Sequence, residues 1–182
     1  VRKCVSVDFK KEGNPIFLIG NETKKEMGGS EYYKIIKVEG GMVPRTDAKI
    51  LKKSVNGILS CISKEYIASC HDISEGGLAV CISEMAIGGK LGAAVDVSEI
   101  GKNLRTDFKL FSESNTRWIV EVKKEKQKDF EKLLKNKKIF FVLIGAVKAD
   151  NLVIKDNEKI VIDSDVKTLY ECWDKPIWET MG

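Results

Sequence analysis

The apolar positions change period several times along the 182 residues of the chain. Over residues 1–9 they recur at every second position, with Val5, Val7 and Phe9 on one side and Ser6 and Asp8 on the other. That alternation predicts a half-buried strand. Residues 10–15 read as a turn, and 16–19 as a buried strand ended by Gly20. Residues 21–30 are polar and close on a loop of Gly28, Gly29 and Ser30. Residues 32–38 fit a strand or a short helix, and Gly40, Gly41 and Pro44 predict a loop. Asp47 then opens a helix in which Leu51, Val55, Ile58, Leu59 and Ile62 follow at helical spacing.

A strand follows at 66–70, and a helix at 78–87 stopped by Gly88 and Gly89. Residues 93–97 form another strand, and 107–115 are a polar stretch. A strand at 118–122 precedes an amphipathic helix at 125–136 with Phe130, Leu133 and Leu134 inward. The run IFFVLIGAV, residues 139–147, is the strongest strand signal. Residues 152–154 and 160–162 form a hairpin turned at Asp156 and Asn157, and a last helix runs from 167 to 173, before Pro176. Strands and helices alternate irregularly, with hairpin signals near the end. This predicts an α+β fold, a mixed sheet with packed helices, rather than a regular doubly wound sheet.

The helix at 78–87 raises the question of its surroundings. Leu78, Ala79, Val80, Cys81, Ile82, Met85, Ala86 and Ile87 leave only Ser83 and Glu84 polar. A helix apolar on nearly every side is buried on nearly every side, so its first amides need partners. Asp72, Ser74 and Glu75 are the expected suppliers. Gly76 and Gly77 make the turn from strand to helix. The alternative is that the turn from His71 to Gly77 offers its amides to a phosphate. Asp72 and Glu75 oppose that unless a divalent cation bridges carboxylate and phosphate.

His71 is the only histidine. Ser69, Cys70 and Ser74 are near it in sequence, but adjacency is not triad geometry and no GxSxG elbow is present. A structural or ligand-positioning role is expected. The polar run holding Ser112, Glu113, Ser114 and Arg117 is either a strand-entry turn with an Arg–Glu pair or a polar ligand shelf at a strand end.

Composition adds limits. The chain is 43% hydrophobic, enough for a core, and its net charge of +4 is spread along the sequence. That charge permits anionic ligands but shows no clustered basic stripe of the kind nucleic-acid binders carry. The five cysteines are odd in number and none are in CxxC spacing. Cys61, Cys70 and Cys81 lie in apolar company, which predicts reduced thiols and a cytoplasmic protein. One histidine cannot supply a His-rich zinc site, so no metal site is expected. No apolar run approaches the ~20 residues that span a bilayer. A strand-like start without an initiator methionine points to a piece of a longer chain.

The segments GGSEYYKII, SCHDISEGGLAVCISEMAIGGKLGAAVDV and LFSESNTRWIVEV occur in this order. In order and wording they resemble the carboxy-terminal part of the phosphoribosylformylglycinamidine synthase family, within the aminoimidazole ribonucleotide synthetase superfamily. The ending ECWDKPIWETMG resembles that family's tail. The likeness covers nearly the whole chain, and HDISEGGLAV followed by EMA is its specific part. The hydrogenase-maturation relative has a similar phrase, but usually reads proline and arginine where this chain has Ile73 and Glu75.

The resemblance implies the superfamily's carboxy-terminal α+β domain, with residues 1–29 a tail of the preceding domain and 30–182 the domain itself. It implies an ATP-dependent ligase of purine biosynthesis. ATP phosphorylates the formyl amide oxygen of formylglycinamide ribonucleotide, and ammonia from glutamine displaces the phosphate to give the amidine. ATP and Mg2+ would serve the full enzyme, with none held tightly by this chain. The implied partners are upstream domains of the same polypeptide, a glutaminase subunit and a small accessory subunit, with neither nucleic acid nor membrane.

The family's catalytic histidines and most ATP and magnesium ligands lie in upstream segments, so no catalytic role falls here. The family's first copy of this domain reads Glu-Ser-Gln where this chain has Glu113, Ser114 and Asn115, so the chain resembles the second copy. His71, Asp72, Ser74, Gly76, Gly77, Ser112, Glu113, Ser114 and Arg117 are then candidates for an auxiliary nucleotide-side surface, beside the loop of Gly28, Gly29 and Ser30. Alone, the chain is expected to be inactive. It is expected to self-associate through its apolar helix and first strand.

Overall fold

The computed structural model describes residues 3–181. Its centre is β1 (Pro15–Gly20), a six-residue strand buried along its whole length. Ile16 and Leu18 face one core, and Phe17 and Ile19 face another. A strand apolar on both faces belongs in the middle of a covered sheet, and β1 is there. It pairs antiparallel with β4 (Arg117–Val122) on one side and β5 (Phe140–Lys148) on the other. The sheet is completed by β2 (Ile67–Asp72), β3 (Gly92–Asp96), β6 (Asn151–Asp156) and β7 (Lys159–Asp165), in the order β2-β4-β1-β5-β3-β6-β7. The pair β3–β6 is parallel and the other five are antiparallel.

Helices cover both faces, so the fold is α+β with a mixed sheet, as the pattern predicts. One core lies under α3 (Gly77–Gly89), with Leu110 of α4 (Thr106–Phe111) and Leu169 of α6 (Val166–Met181) closing it. The other lies under α2 (Ala48–Ser63) and α5 (Gln127–Asn136) and centres on Phe17, Ile58, Phe130 and Leu134. The Phe17 and Phe130 rings sit 5.0 Å apart. Asp47 caps α2, accepting from the Lys49 and Ile50 amides.

Several expectations need correcting. The boundary after Gly29 does not divide the fold, because β1 is hydrogen-bonded on both sides within the single sheet. Residues 3–9 form no strand, and residues 1 and 2 of that expectation lie outside the described residues. Phe9 is buried and donates its amide to the Met85 carbonyl at 3.0 Å, so this segment crosses the end of α3 instead of joining the sheet. Gly88 and Gly89 do not stop α3. They lie within it and make room for the crossing, since a Cβ on Gly89 would stand 2.3 Å from the Phe9 carbonyl oxygen. Lys90, in the left-handed conformation, ends the helix.

Residues 31–35 settle as the short helix α1 (Glu31–Ile35). Part of the polar stretch 107–115 is helical, because Phe108 and Leu110 reach the core from α4. The last helix runs through Pro176 to Met181. The α3 helix is covered by elements of the same chain, with only the stripe of Val80, Ser83, Glu84 and Ile87 accessible before Gly88. It therefore offers no large adhesive face for self-association.

Candidate functional site

Three polar segments converge at the start of α3. The chain leaves β2 at Asp72, turns through residues 73–76, and enters α3 with Gly76 and Gly77 both at positive φ, 75° and 69°. Glycine is the residue that adopts this conformation without a steric cost. The residue at the helix cap is Gly76, which has no side chain to accept the helix amides. Asp72, Ser74 and Glu75 do not supply the cap either. The Ser74 hydroxyl donates to Asp72 Oδ2 at 2.7 Å, which holds the Asp72 carboxyl below the usual carboxylate range.

The cap comes from the third segment. Glu113 Oε1 accepts the Gly76 amide at 2.9 Å and the Glu31 amide at 3.0 Å. One carboxylate oxygen therefore ties the start of α3 to the start of α1. A carboxylate is favourable at such a place because the unpaired amides of α3 carry partial positive charge. Ser30 caps α1 by accepting the Tyr33 amide at 3.2 Å. Tyr32 of α1 stacks on Phe111, with ring centroids 4.5 Å apart. Gly28 is needed because a Cβ there would stand 2.7 Å from the Gly41 carbonyl oxygen. Gly29 has φ +79° in open space.

Arg117, expected to pair with Glu113, does not. Its guanidinium is buried and donates to the Ser114 carbonyl at 2.8 Å, the Ser112 carbonyl at 2.6 Å and Thr23 Oγ1 at 2.8 Å. Burial pushes its pKa down to about 10, so it stays charged at neutral pH. The Ser112 hydroxyl donates to the Lys24 carbonyl at 2.7 Å, and Ser114 Oγ accepts the Lys24 amide at 3.1 Å. Ser112, Ser114 and Arg117 are therefore internal braces between residues 23–26 and the entry to β4, and not an exposed ligand shelf. Asp72, Ser74 and Glu75 are exposed at the rim of the turn, with Glu113 half-buried among the braces.

His71 lies between two carboxylates. Its Nε2 is 3.0 Å from Glu84 Oε2, and its Nδ1 is 3.5 Å from Asp72 Oδ1 without a hydrogen bond. The serines and the cysteine near it in sequence are not available to it. The Ser69 hydroxyl is committed to Glu121 at 3.0 Å, and burial pushes the Cys70 thiol up to about 12.

Buried charged groups that escaped the sequence reading include Glu121 and Lys109. Glu121, inside β4, accepts the Lys10 amide at 2.7 Å, the Lys11 amide at 3.0 Å, Asn14 Nδ2 at 2.6 Å and the Ser69 hydroxyl. Its only signal is a lone acid in the apolar run WIVEV. Lys109 of α4 pairs with Asp156 at the end of β6, at 2.8 Å, with Thr106 Oγ1 donating to the other carboxylate oxygen at 2.6 Å. Among the described residues, no group of three metal-ligating side chains comes together.

The mixed sheet, the left-handed Gly-Gly turn into a buried helix and the carboxylate that closes that turn define an α+β domain whose polar motifs brace one another. The chain belongs to the family described as AIR synthase related protein, C-terminal domain, which matches residues 11–157. Among relatives, the phosphoribosylformylglycinamidine synthase subunit PurL of Thermococcus sibiricus is 40% identical over 177 residues, covering 93% of this chain and 24% of the relative. The same subunit of Methanocaldococcus jannaschii is 41% identical over 175 residues, covering 93% and 23%. The chain thus spans about a quarter of the length of these relatives.

The fold matches T. maritima PurL complexed with FGAR, with a TM-score of 0.82 at 18% identity, covering 93% of this chain and 30% of that one. It also matches the E. coli hydrogenase maturation protein HypE, with a TM-score of 0.62 at 11% identity, covering 89% and 51%. Among the described residues, no helix is long and apolar enough to cross a membrane.

Proposed function

We propose that the chain is the carboxy-terminal domain of a phosphoribosylformylglycinamidine synthase subunit. The full polypeptide would convert formylglycinamide ribonucleotide, ATP and glutamine-derived ammonia to the amidine, in the cytoplasm, with release of ADP and phosphate. The observation that carries this reading is 40% identity over 177 residues to a relative bearing that name. T. maritima PurL complexed with ATP, ADP or AMPPCP shares the fold, as does the PurLQS assembly of that organism. Those likenesses support a nucleotide-using enzyme that works with a glutaminase and a small accessory subunit.

The α3 turn itself does not suit a phosphate. The Gly76 amide is already taken by Glu113, and Asp72 and Glu75 add negative charge at the rim. Nucleotide and Mg2+ are accordingly assigned to the rest of the polypeptide, and no chemical step is routed through this turn. The contribution of this chain is positional. Glu113 fixes the starts of α1 and α3, and Arg117 fixes the loop before β4, so the domain presents a rigid surface to its neighbours.

The test is an assay of the complete polypeptide carrying this sequence, with ammonia or with glutamine and a glutaminase. The expected result is ATP-dependent amidine formation that disappears when this domain is deleted, while the 182-residue chain alone forms none. A complete polypeptide that turns over ATP without consuming formylglycinamide ribonucleotide would overturn the reading.

A further inference from the structure

On the sheet face away from α3, α2 and α5 lie side by side and gather lysines from distant parts of the sequence. Lys49, Lys52, Lys53 and Lys137 line a groove of about 430 Å³ between them. Lys137 also lines a second groove, of about 460 Å³, with Lys64 and Lys132. The shared Lys137 makes these one continuous track. Six lysines line it against a single carboxylate, Asp129. All six are exposed, and among the described residues none has a carboxylate within 4.0 Å.

The sequence of α2, AKILKKSVNGILSCIS, contains no acid at all. Lys49 repels Lys52 and Lys53 at three and four residues' separation, and nothing on the helix relieves it. A solvated face ordinarily mixes both signs more evenly than six lysines to one carboxylate.

Beside the track, outside the lining of either groove, the exposed face of α2 is partly apolar. Lys52, Val55, Asn56 and Leu59 follow one another at helical spacing along one stripe, and Val55 and Leu59 are exposed. No arginine lines either groove, and Tyr66 is the only aromatic. Planar, bidentate recognition of phosphate favours arginine, and binding of unpaired bases favours several stacking rings. Lysines interleaved with aliphatic side chains suit carboxylates interleaved with aliphatic side chains.

From this arrangement, which is separate from the α3 turn and independent of the proposed synthase activity, we infer that the α2–α5 face docks a carboxylate-rich amphipathic helix of a partner protein. Glutamates or aspartates of that helix meet the lysine track, and its apolar stripe meets Val55 and Leu59. Residues 49 to 64 span about 22 Å along α2 and its end, room for about four turns of such a helix.

The test uses the chain and a fluorescein-labelled helical peptide of about fifteen residues, Glu on one face and Leu on the other, matched to that length. Binding is read by anisotropy. The expected result is saturable binding that weakens at least about tenfold between roughly 50 and 300 mM salt. Lys52→Glu/Lys53→Glu/Lys137→Glu is expected to weaken it at least about tenfold, with the thermal melt unchanged. Should that variant not fold, Lys52→Gln/Lys53→Gln provides the same comparison. Val55→Ser/Leu59→Ser is expected to weaken peptide binding while leaving any binding of a single-stranded oligonucleotide as it was. No peptide binding at low salt, no effect of removing the lysine charges, or tighter binding of the oligonucleotide than of the peptide would each overturn the inference.

Discussion

The Glu113 carboxylate accepts the Gly76 amide at 2.9 Å across 37 residues of sequence, so the buried helix α3 is capped from the entry to β4. The same oxygen holds the Glu31 amide, so one side chain serves two helix starts. Replacing it by alanine leaves both amides without that acceptor in a half-buried place. Glu113→Ala is expected to destabilise the chain by about 2 kcal/mol. Glu113→Gln, which keeps a carbonyl acceptor and loses only the charge, is expected to cost about half as much. Urea melts of the three proteins check this. Equal stability of all three would mean that water replaces the carboxylate without loss.

The cysteines divide into two groups. Cys4 and Cys172 are exposed. Burial pushes the Cys61 thiol up to about 11 and the Cys70 thiol up to about 12, and raises Cys81 as well. Only a thiolate reacts readily with an alkylating reagent. At pH 8 the native chain is expected to label quickly at Cys4 and Cys172, and at the other three only after unfolding. Mass spectrometry of timed iodoacetamide reactions reads this directly. Early label on Cys70 would show that β2, an edge strand, opens more readily than its pairing with β4 implies.

Much of the fold was legible where burial repeats with a fixed period. β1, β5, α2, α3 and the β6–β7 hairpin announce themselves in runs whose neighbours along the chain carry the signal. What escaped depends on residues far apart. Residues 3–9 alternate as a strand should, yet Phe9 finds its partner in Met85 of α3. The α4 helix is set by two core residues and by the Lys109–Asp156 pair, which joins positions 47 apart. At the candidate site, the three motifs were readable from residue types, but their convergence on one turn and their roles were not. Arg117 binds carbonyls instead of Glu113, because the loop it buries supplies them first. The lysine track was invisible in a net charge of +4, since Lys53 of α2 and Lys137 at the end of α5 are far apart in sequence and share a groove only in the fold.

Acid is expected to act partly through Asp156. Burial alone would raise its pKa, but hydrogen bonds from Lys109 and Thr106 outweigh that and hold it below the ordinary aspartate value. A carboxylate whose pKa is lower folded than unfolded contributes stability that is complete above the unfolded value. That stability is lost as pH falls through the folded one. Wild-type stability should therefore decline below about pH 4. Asp156→Asn should lose about 3 kcal/mol at neutral pH, because the Lys109 ammonium is left buried without its counter-charge. It should show a shallower acid decline than wild type. Urea melts at several pH values separate the two effects, and parallel declines in both proteins would assign the acid sensitivity to other carboxylates.

Two glycines at nearly the same φ provide the last comparison. Gly29 has φ +79° and Gly77 has φ +69°. A Cβ built on Gly29 meets nothing within 4 Å, while one on Gly77 stands 2.7 Å from the Leu110 carbonyl oxygen and 2.8 Å from Phe111 backbone atoms. Conformational strain alone predicts that Gly29→Ala costs about 1 kcal/mol. Gly77→Ala carries the same strain and must in addition push α3 away from the end of α4, where the obstacle is backbone and cannot rotate aside. A loss of about 3 kcal/mol or more is expected, with weakened burial of Leu78 and Ile82 behind it. Thermal and urea melts of the two variants decide the matter. If Gly77→Ala cost no more than Gly29→Ala, the close approach of α3 to α4 would not be a constraint on the fold. The glycine pair would then be needed for its backbone angles alone.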